Sequence, residues 1–148
     1  MSGSREYPDR PWVGIGVVAF RGHDVLLVRR AKPPRQGEWS IPGGAQMLGE
    51  AAEAAARREL REESGIEVGP LALAVVVDAL SHDEEGRTRF HYTIIDFAAR
   101  WLSGEPVAGD DVSEARFFSP DEIATLGLWP EALRAIDEGR RRVSELPD

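Results

Sequence analysis

Two apolar runs rich in β-branched residues, Val13 to Phe20 and Val25 to Val28, are separated by the polar stretch Arg21-Gly22-His23-Asp24. Runs of this length split by a short glycine-bearing segment predict a β-hairpin. The basic, proline-bearing residues 29–37 read as a loop. Trp39-Ser40-Ile41 reads as a short extended piece that stops in a tight turn at Pro42-Gly43-Gly44. From Gly49 to Ser64 the pattern changes: Ala, Leu, Glu and Arg dominate and no β-branched residue occurs. That predicts a helix, with Gly65 supplying a left-handed stop. Leu71 to Val77 and Phe90 to Ala99 predict two strands paired across the polar residues 81–87, and Ala115 to Phe118 a further short strand. Ser119-Pro120-Asp121-Glu122 has a capping-box pattern with proline at the first helical position, so a helix starts there. A last amphipathic helix is predicted from Pro130 to Val143, with Leu133, Ile136 and Val143 inward. Strands, a helix, strands and then helices make one mixed α/β domain over residues 12–146, after a loose polar lead-in over residues 1–11.

Composition narrows the chemistry. The 148 residues carry 18 Lys and Arg against 26 Asp and Glu, a net charge of −8, which argues against a protein gripping a long nucleic acid by basic charge. With no cysteine, disulfides, zinc–thiolate sites and thiol nucleophiles are excluded. Any metal must be held by oxygen or imidazole, and His23, His82 and His91 lack metal-ligand spacing to one another. No stretch approaches the ~18–20 apolar residues of a membrane span, and the polar N-terminus does not resemble a secretory signal. A cytoplasmic protein is the expectation.

Between Gly44 and Ile66 the spacing runs Gly44, five residues, Glu50, seven residues, Arg58-Glu59-Leu60, one residue, Glu62-Glu63, one residue, Gly65-Ile66. On a helix Glu59, Glu62 and Glu63 share a sector of ~100° near the C-terminal end, where they repel one another and face the negative pole of the dipole. One reading is a solvated, charge-rich helix face. The other is a site for a hard divalent cation, Mg²⁺ or Mn²⁺, which oxygen ligands select. The turn at Pro42-Gly43-Gly44 would bring backbone carbonyls close to a cation or phosphate, and Arg58 can pair with Glu50 or Glu62.

This segment resembles the Nudix box, G-x5-E-x7-R-E-U-x-E-E-x-G-U with U aliphatic, at all nine fixed positions. Average residue usage gives such a match by chance in fewer than roughly one chain in a million of this length. Val25 to Arg30, Gly37 to Gly44 and the acidic segment Ala108 to Phe118 resemble the family's flanking pieces. The resemblance implies an α/β/α sandwich around a mixed sheet and hydrolysis of a pyrophosphate linkage in a nucleoside diphosphate joined to another group. It implies that Glu59, Glu62 and Glu63 hold the metal, Mg²⁺ or Mn²⁺, with help from the Gly43 carbonyl. Arg58 and Glu50 would order that face, Gly44 and Gly65 would be conformational, and Leu60 and Ile66 would belong to the core. The general base is Glu59, Glu63 or the loop residue Glu114. Arg29 and Arg35, and with them Arg30, could meet substrate phosphates, whereas Lys32 reads as a solubilising charge. Trp39, Phe90 and Tyr92 could stack on a base or pack in the core.

The acidic segment resembles members acting on ADP-ribose, which makes ADP-ribose the expected substrate and AMP and ribose 5-phosphate the expected products. A proline that such members often carry is replaced here by His82. Hydrolysis of an oxidised deoxyguanosine triphosphate is the alternative, and a non-enzymatic nucleotide sensor a more distant one. The expected partner is a small nucleotide, with no membrane, and a homodimer stays open.

Overall fold

The computed structural model describes residues 5–33 and 35–147, so the first four residues of the lead-in lie outside the described chain. Residues 5–10 form neither helix nor strand. Tyr7 donates its backbone N–H to Arg89 O at 2.7 Å, and Arg89 pairs with Glu6 at 2.9 Å.

The expected hairpin is β1 (Trp12–Arg21) and β2 (Asp24–Arg30), antiparallel and in register through Phe20↔Val25. β3 (Trp39–Ser40) pairs with β2, and β4 (Gly43–Ala45) pairs with β1. The helix α1 (Ala52–Ser64) ends at Gly65, whose φ of 75° is the predicted left-handed stop. Then come β5 (Glu67–Val68), β6 (Ala72–His82), β7 (Thr88–Ser103) and β8 (Val112–Phe118). The short helix α2 (Pro120–Ile123) and the long helix α3 (Pro130–Ser144) close the chain.

Among the described residues one sheet runs β3-β2-β1-β7-β5, with β4 on β1, β6 on β7 and β8 on β2. β1 and β7 are parallel and the other pairs antiparallel, which makes the sheet mixed. Strand periodicity sends alternate residues to opposite faces. Ile15, Val17 and Ala19 of β1 meet Ala55, Ala56 and Leu60 of α1, while Val18 and Phe20 meet Ala135 and Ile136 of α3 on the other face. Helices on both faces give the expected α/β/α sandwich.

Several boundaries move, each for a local reason. Arg29 and Arg30 belong to β2 rather than a loop, because β8 extends alongside and pairs with both. Pro42-Gly43-Gly44 is not a tight turn: Gly43 and Gly44 continue into a strand hydrogen-bonded to β1. The helix starts at Ala52 instead of Gly49, since Gly49 is left-handed at φ 82° and Glu50 turns its carboxylate back to the Met47 N–H at 3.1 Å. β6 and β7 are longer than predicted, because the Asp83 carboxylate accepts the N–H groups of Glu85 and Arg87 and closes a tighter turn. Leu133 faces solvent, 38% exposed: the inward stripe of α3 is Ala132, Ala135, Ile136, Gly139 and Val143, about 100° away.

Candidate active site

The sheet delivers two glycines to the foot of α1. Val17 N–H donates to Pro42 O and Gln46 N–H to Val13 O, so in the alternation of an antiparallel pair Gly43 and Ala45 turn their amides and carbonyls away from β1. They turn toward the helix. Gly43 N–H donates to Glu63 Oε1 at 2.9 Å, and Ala45 O accepts from Arg58 Nη2 at 3.2 Å. Gly44 has to be glycine: a Cβ there would stand 2.5 Å from Glu59 Oε1 and 2.7 Å from its carboxyl carbon.

Arg58 ties the carboxylates together. Its Nε donates to Glu50 Oε2 at 2.7 Å and its Nη2 to Glu50 Oε1 at 3.0 Å, a two-pronged pairing. Its Nη1 reaches Glu59 Oε1 and Glu62 Oε1, each at 2.9 Å. The sequence left Glu50 and Glu62 as alternative partners; the guanidinium takes both, and Glu59 too.

The carboxylates are not alike. Glu59 and Glu63 are buried, at 7% and 8% exposure, while the Glu62 side chain is 43% exposed. Burial pushes the Glu63 carboxyl up to about 8, reinforced by the charges of Glu59 and Asp110 and opposed by the Gly43 N–H and Arg30. Glu59 is also raised, by burial first, although the Arg58 hydrogen bond and charge oppose it. Five carboxylates (Glu50, Glu59, Glu62, Glu63 and Asp110) thus share one neighbourhood with two guanidinium groups, Arg58 and Arg30. A solvated helix face has no reason to bury Glu59 and Glu63.

The donor set fits a hard divalent cation. It is oxygen-only and short of positive charge, and Glu59, Glu62, Glu63 and the outward-turned Gly43 carbonyl are the groups that would hold such an ion. Among the described residues no three acidic or imidazole groups already converge on one point. Arg58 takes Oε1 of Glu59 and of Glu62, and the Gly43 N–H takes Oε1 of Glu63.

Asp110 is a site residue that sequence reasoning placed only within an acidic segment. It takes a left-handed conformation, φ 56°, which Asp tolerates better than most residues. Its loop is fixed to the C-terminal end of α1 by Gly109 N–H to Glu63 O at 3.2 Å and Val107 N–H to Ser64 O at 2.9 Å.

The other predicted residues separate. Glu114 of β8 stands opposite Arg29 of β2, and their side chains pair at 2.8 Å, about half exposed. Arg29 also donates to Gly37 O at 2.8 Å and lies 5.9 Å from the Trp39 ring centroid. Arg35 is exposed and makes no side-chain hydrogen bond or ion pair among the described residues, so the structure does not gather it into the cluster. Lys32 pairs with Asp111 at 2.8 Å on the surface. Trp39 packs edge-on against Phe118, ring centroids 4.7 Å apart, as a core contact.

A family model described as NUDIX domain matches residues 10–139. An ADP-ribose pyrophosphatase from Methanocaldococcus jannaschii is 32% identical over 123 residues, 83% of this chain and 70% of that protein. A putative 8-oxo-dGTP diphosphatase 2 from Mycobacterium tuberculosis is 40% identical over 93 residues, 61% of each chain, so the match spans about three-fifths of that relative. The crystal structure of a MutT NUDIX hydrolase from Burkholderia pseudomallei superposes with a TM-score of 0.75 at 29% identity, over 88% of this chain and 98% of the other.

Proposed function

The chain belongs to the NUDIX domain family and is a Nudix hydrolase, and from that premise we propose that it cleaves the pyrophosphate bond of ADP-ribose in a Mg²⁺- or Mn²⁺-dependent reaction. The observation that carries the metal dependence is the burial of Glu59 and Glu63 side by side at the foot of α1. A divalent ion held by Glu59, Glu62, Glu63 and the Gly43 carbonyl would neutralise phosphate charge and lower the pKa of the attacking water.

The protein's own groups do the rest. Arg58 keeps Glu50, Glu59 and Glu62 in register, and the Gly43 N–H fixes the orientation of Glu63. Glu59 and Glu63 would be weaker bases when engaged with a cation, which leaves Glu114, the third candidate, to take the proton from water once its partner Arg29 turns to the substrate. Arg29, beside Glu114, is placed to meet a phosphate oxygen. Water forms the new O–P bond, the bridging P–O bond breaks, and the bridging oxygen leaves on the other phosphate, giving AMP and ribose 5-phosphate.

ADP-ribose leads because a relative 32% identical over 83% of this chain and 70% of its own length is an ADP-ribose pyrophosphatase. The 40% identity to a putative 8-oxo-dGTP diphosphatase supports an oxidised deoxyguanosine triphosphate as the second reading. The test is product identification after incubation with Mg²⁺ and a panel of ADP-ribose, nucleotide sugars, dinucleoside polyphosphates and triphosphates. AMP and ribose 5-phosphate from ADP-ribose, at higher kcat/KM than any triphosphate, is the expected result. Full turnover in excess EDTA overturns the metal dependence.

A further inference from the structure

One buried acid takes no part in this chemistry. Asp96 sits in the middle of β7, 7% exposed, on the sheet face that packs against α3 and away from α1. No hydrogen bond to its carboxylate occurs among the described residues, yet no buried polar atom is sealed off without a partner. Its oxygens therefore reach open space. A buried carboxylate without a partner costs stability and persists where something else compensates.

An absent side chain makes room for this carboxylate. Asp96 pairs with Gly16 of β1, and a Cβ on Gly16 would collide with Asp96 Oδ1. Ile41 closes another side, with its Cγ2 3.7 Å from that same Cβ position. Ile94 and Trp39 are partly buried on this face of the sheet. From α3, the Glu131–Arg134 ion pair, 2.7 Å long, projects its charges toward Asp96. Asp96 thus stands among a glycine, apolar side chains and the Glu131–Arg134 pair, with its oxygens still open to solvent.

Asp96 is also joined through the sheet to the strand that borders the carboxylate site. Gly16 pairs on its other side with Gly43, the residue whose N–H holds Glu63. Asp96 and Gly43 are thus two strand spacings apart, about 10 Å. Glu63 comes from the α1 face and meets Gly43 at the outer edge of β4. A substrate with its phosphates at that edge would therefore lay its base across β4 and β1 on the α3 face to meet Asp96, a span that a nucleoside monophosphate covers.

We propose that Asp96 determines base specificity by accepting a hydrogen bond from the exocyclic amino group of a purine bound on this face of the sheet. The inference rests on the nucleotide-hydrolase reading and names which end of the substrate this second face recognises. The amino group is shared chemistry between adenine, with N6, and guanine, with N2; hypoxanthine lacks both. A buried polar group left unpaired discriminates strongly against a ligand without the matching donor. Burial raises the Asp96 carboxyl to about 6, so at pH 7.5 it is ionised and ready to accept.

The test is equilibrium binding of AMP, GMP and IMP, with Mg²⁺ present, to the wild-type protein and to Asp96→Asn. The wild type should bind AMP or GMP at least tenfold tighter than IMP, and whichever leads identifies the base. Asp96→Asn should reduce that ratio to threefold or less while melting no lower than wild type, since it removes an unpaired buried charge and keeps the shape. Equal wild-type affinity for the three nucleotides overturns the proposal. So does an Asp96→Asn protein that keeps the wild-type ratio, or one that melts several degrees lower with the ratio unchanged. Discriminating binding without hydrolysis of ADP-ribose or any triphosphate would instead overturn the hydrolase substrates and leave the base site standing.

Discussion

Glu63→Gln should change the pH dependence of stability as well as the rate. Glutamine keeps the size of the side chain and an oxygen to accept from Gly43 N–H, and removes only the charge. In the metal-free protein the Glu63 carboxyl is held at about 8, against 4.5 in an unfolded chain. Below pH 4.5 both states hold the proton and the favourable contribution is complete. Between 4.5 and about 8 the unfolded chain has released its proton while the folded protein retains it, so stability falls as pH rises. At ~1.4 kcal/mol per tenfold in an equilibrium constant, that interval amounts to at most about 5 kcal/mol above pH 8, a large share of a domain's ~5–15 kcal/mol. For a chain of this size ~1 kcal/mol moves Tm by about 2–4 °C, so the variant should melt up to roughly 10–20 °C above wild type at pH 9 without metal. At pH 5 the two should melt within a few degrees of each other. Saturating Mg²⁺ should narrow the gap: at 100 times Kd a ligand adds about 2.7 kcal/mol, and only wild type retains the full ligand set. Thermal melts at pH 5, 7 and 9, with EDTA or Mg²⁺, read all of this. A variant destabilised equally at pH 5 and pH 9, or protected by Mg²⁺ as well as wild type, would refute the reasoning.

Arg58→Ala should cost about 3–5 kcal/mol in denaturant unfolding, because it strands two largely buried carboxylates, and Arg58→Lys should recover only part, since ammonium lacks the fork that grips Glu50. Gly44→Ala should lower kcat by at least two decades in steady-state kinetics at a stability cost of about 1–3 kcal/mol, because its Cβ displaces the Glu59 carboxyl lying 2.5 Å from that position. Glu114→Gln should lower kcat by two decades or more while Mg²⁺ affinity and Tm stay near wild type, the Arg29 pair being exposed and worth little; Glu53→Gln, on the far side of α1, is the control and should keep full activity.

The helix and its cluster were legible because spacing is geometry: residues 59, 62 and 63 must share a face once a helix forms, and Gly65 must end it. The hairpin and the mixed α/β order followed from the apolar runs and the helical segments, whereas the α/β/α layering was implied by the family resemblance. The strand identity of Arg29, Arg30, Gly43 and Gly44 was not legible. Charged and glycine residues carry no strand preference of their own, and their extended state depends on β8 and β1 arriving from elsewhere in the chain. Burial separated Glu63 from Glu62, two neighbours that look alike in the sequence, and burial is set by how α1 lies on β4. Asp96 was silent for the same reason. Its meaning comes from Gly16, eighty residues earlier, across a parallel strand pair.

Mn²⁺ binding followed by electron paramagnetic resonance tests the central claim most directly, that Glu59 and Glu63 together hold the ion on which hydrolysis depends. With wild type, Glu59→Gln, Glu63→Gln and the double variant titrated at pH 8, the account predicts a bound-Mn²⁺ population in wild type. Each single variant should bind at least tenfold more weakly and the double variant at least a hundredfold, with ADP-ribose hydrolysis falling alongside. A double variant that binds Mn²⁺ with wild-type affinity, or hydrolyses substrate at the wild-type rate, would contradict it.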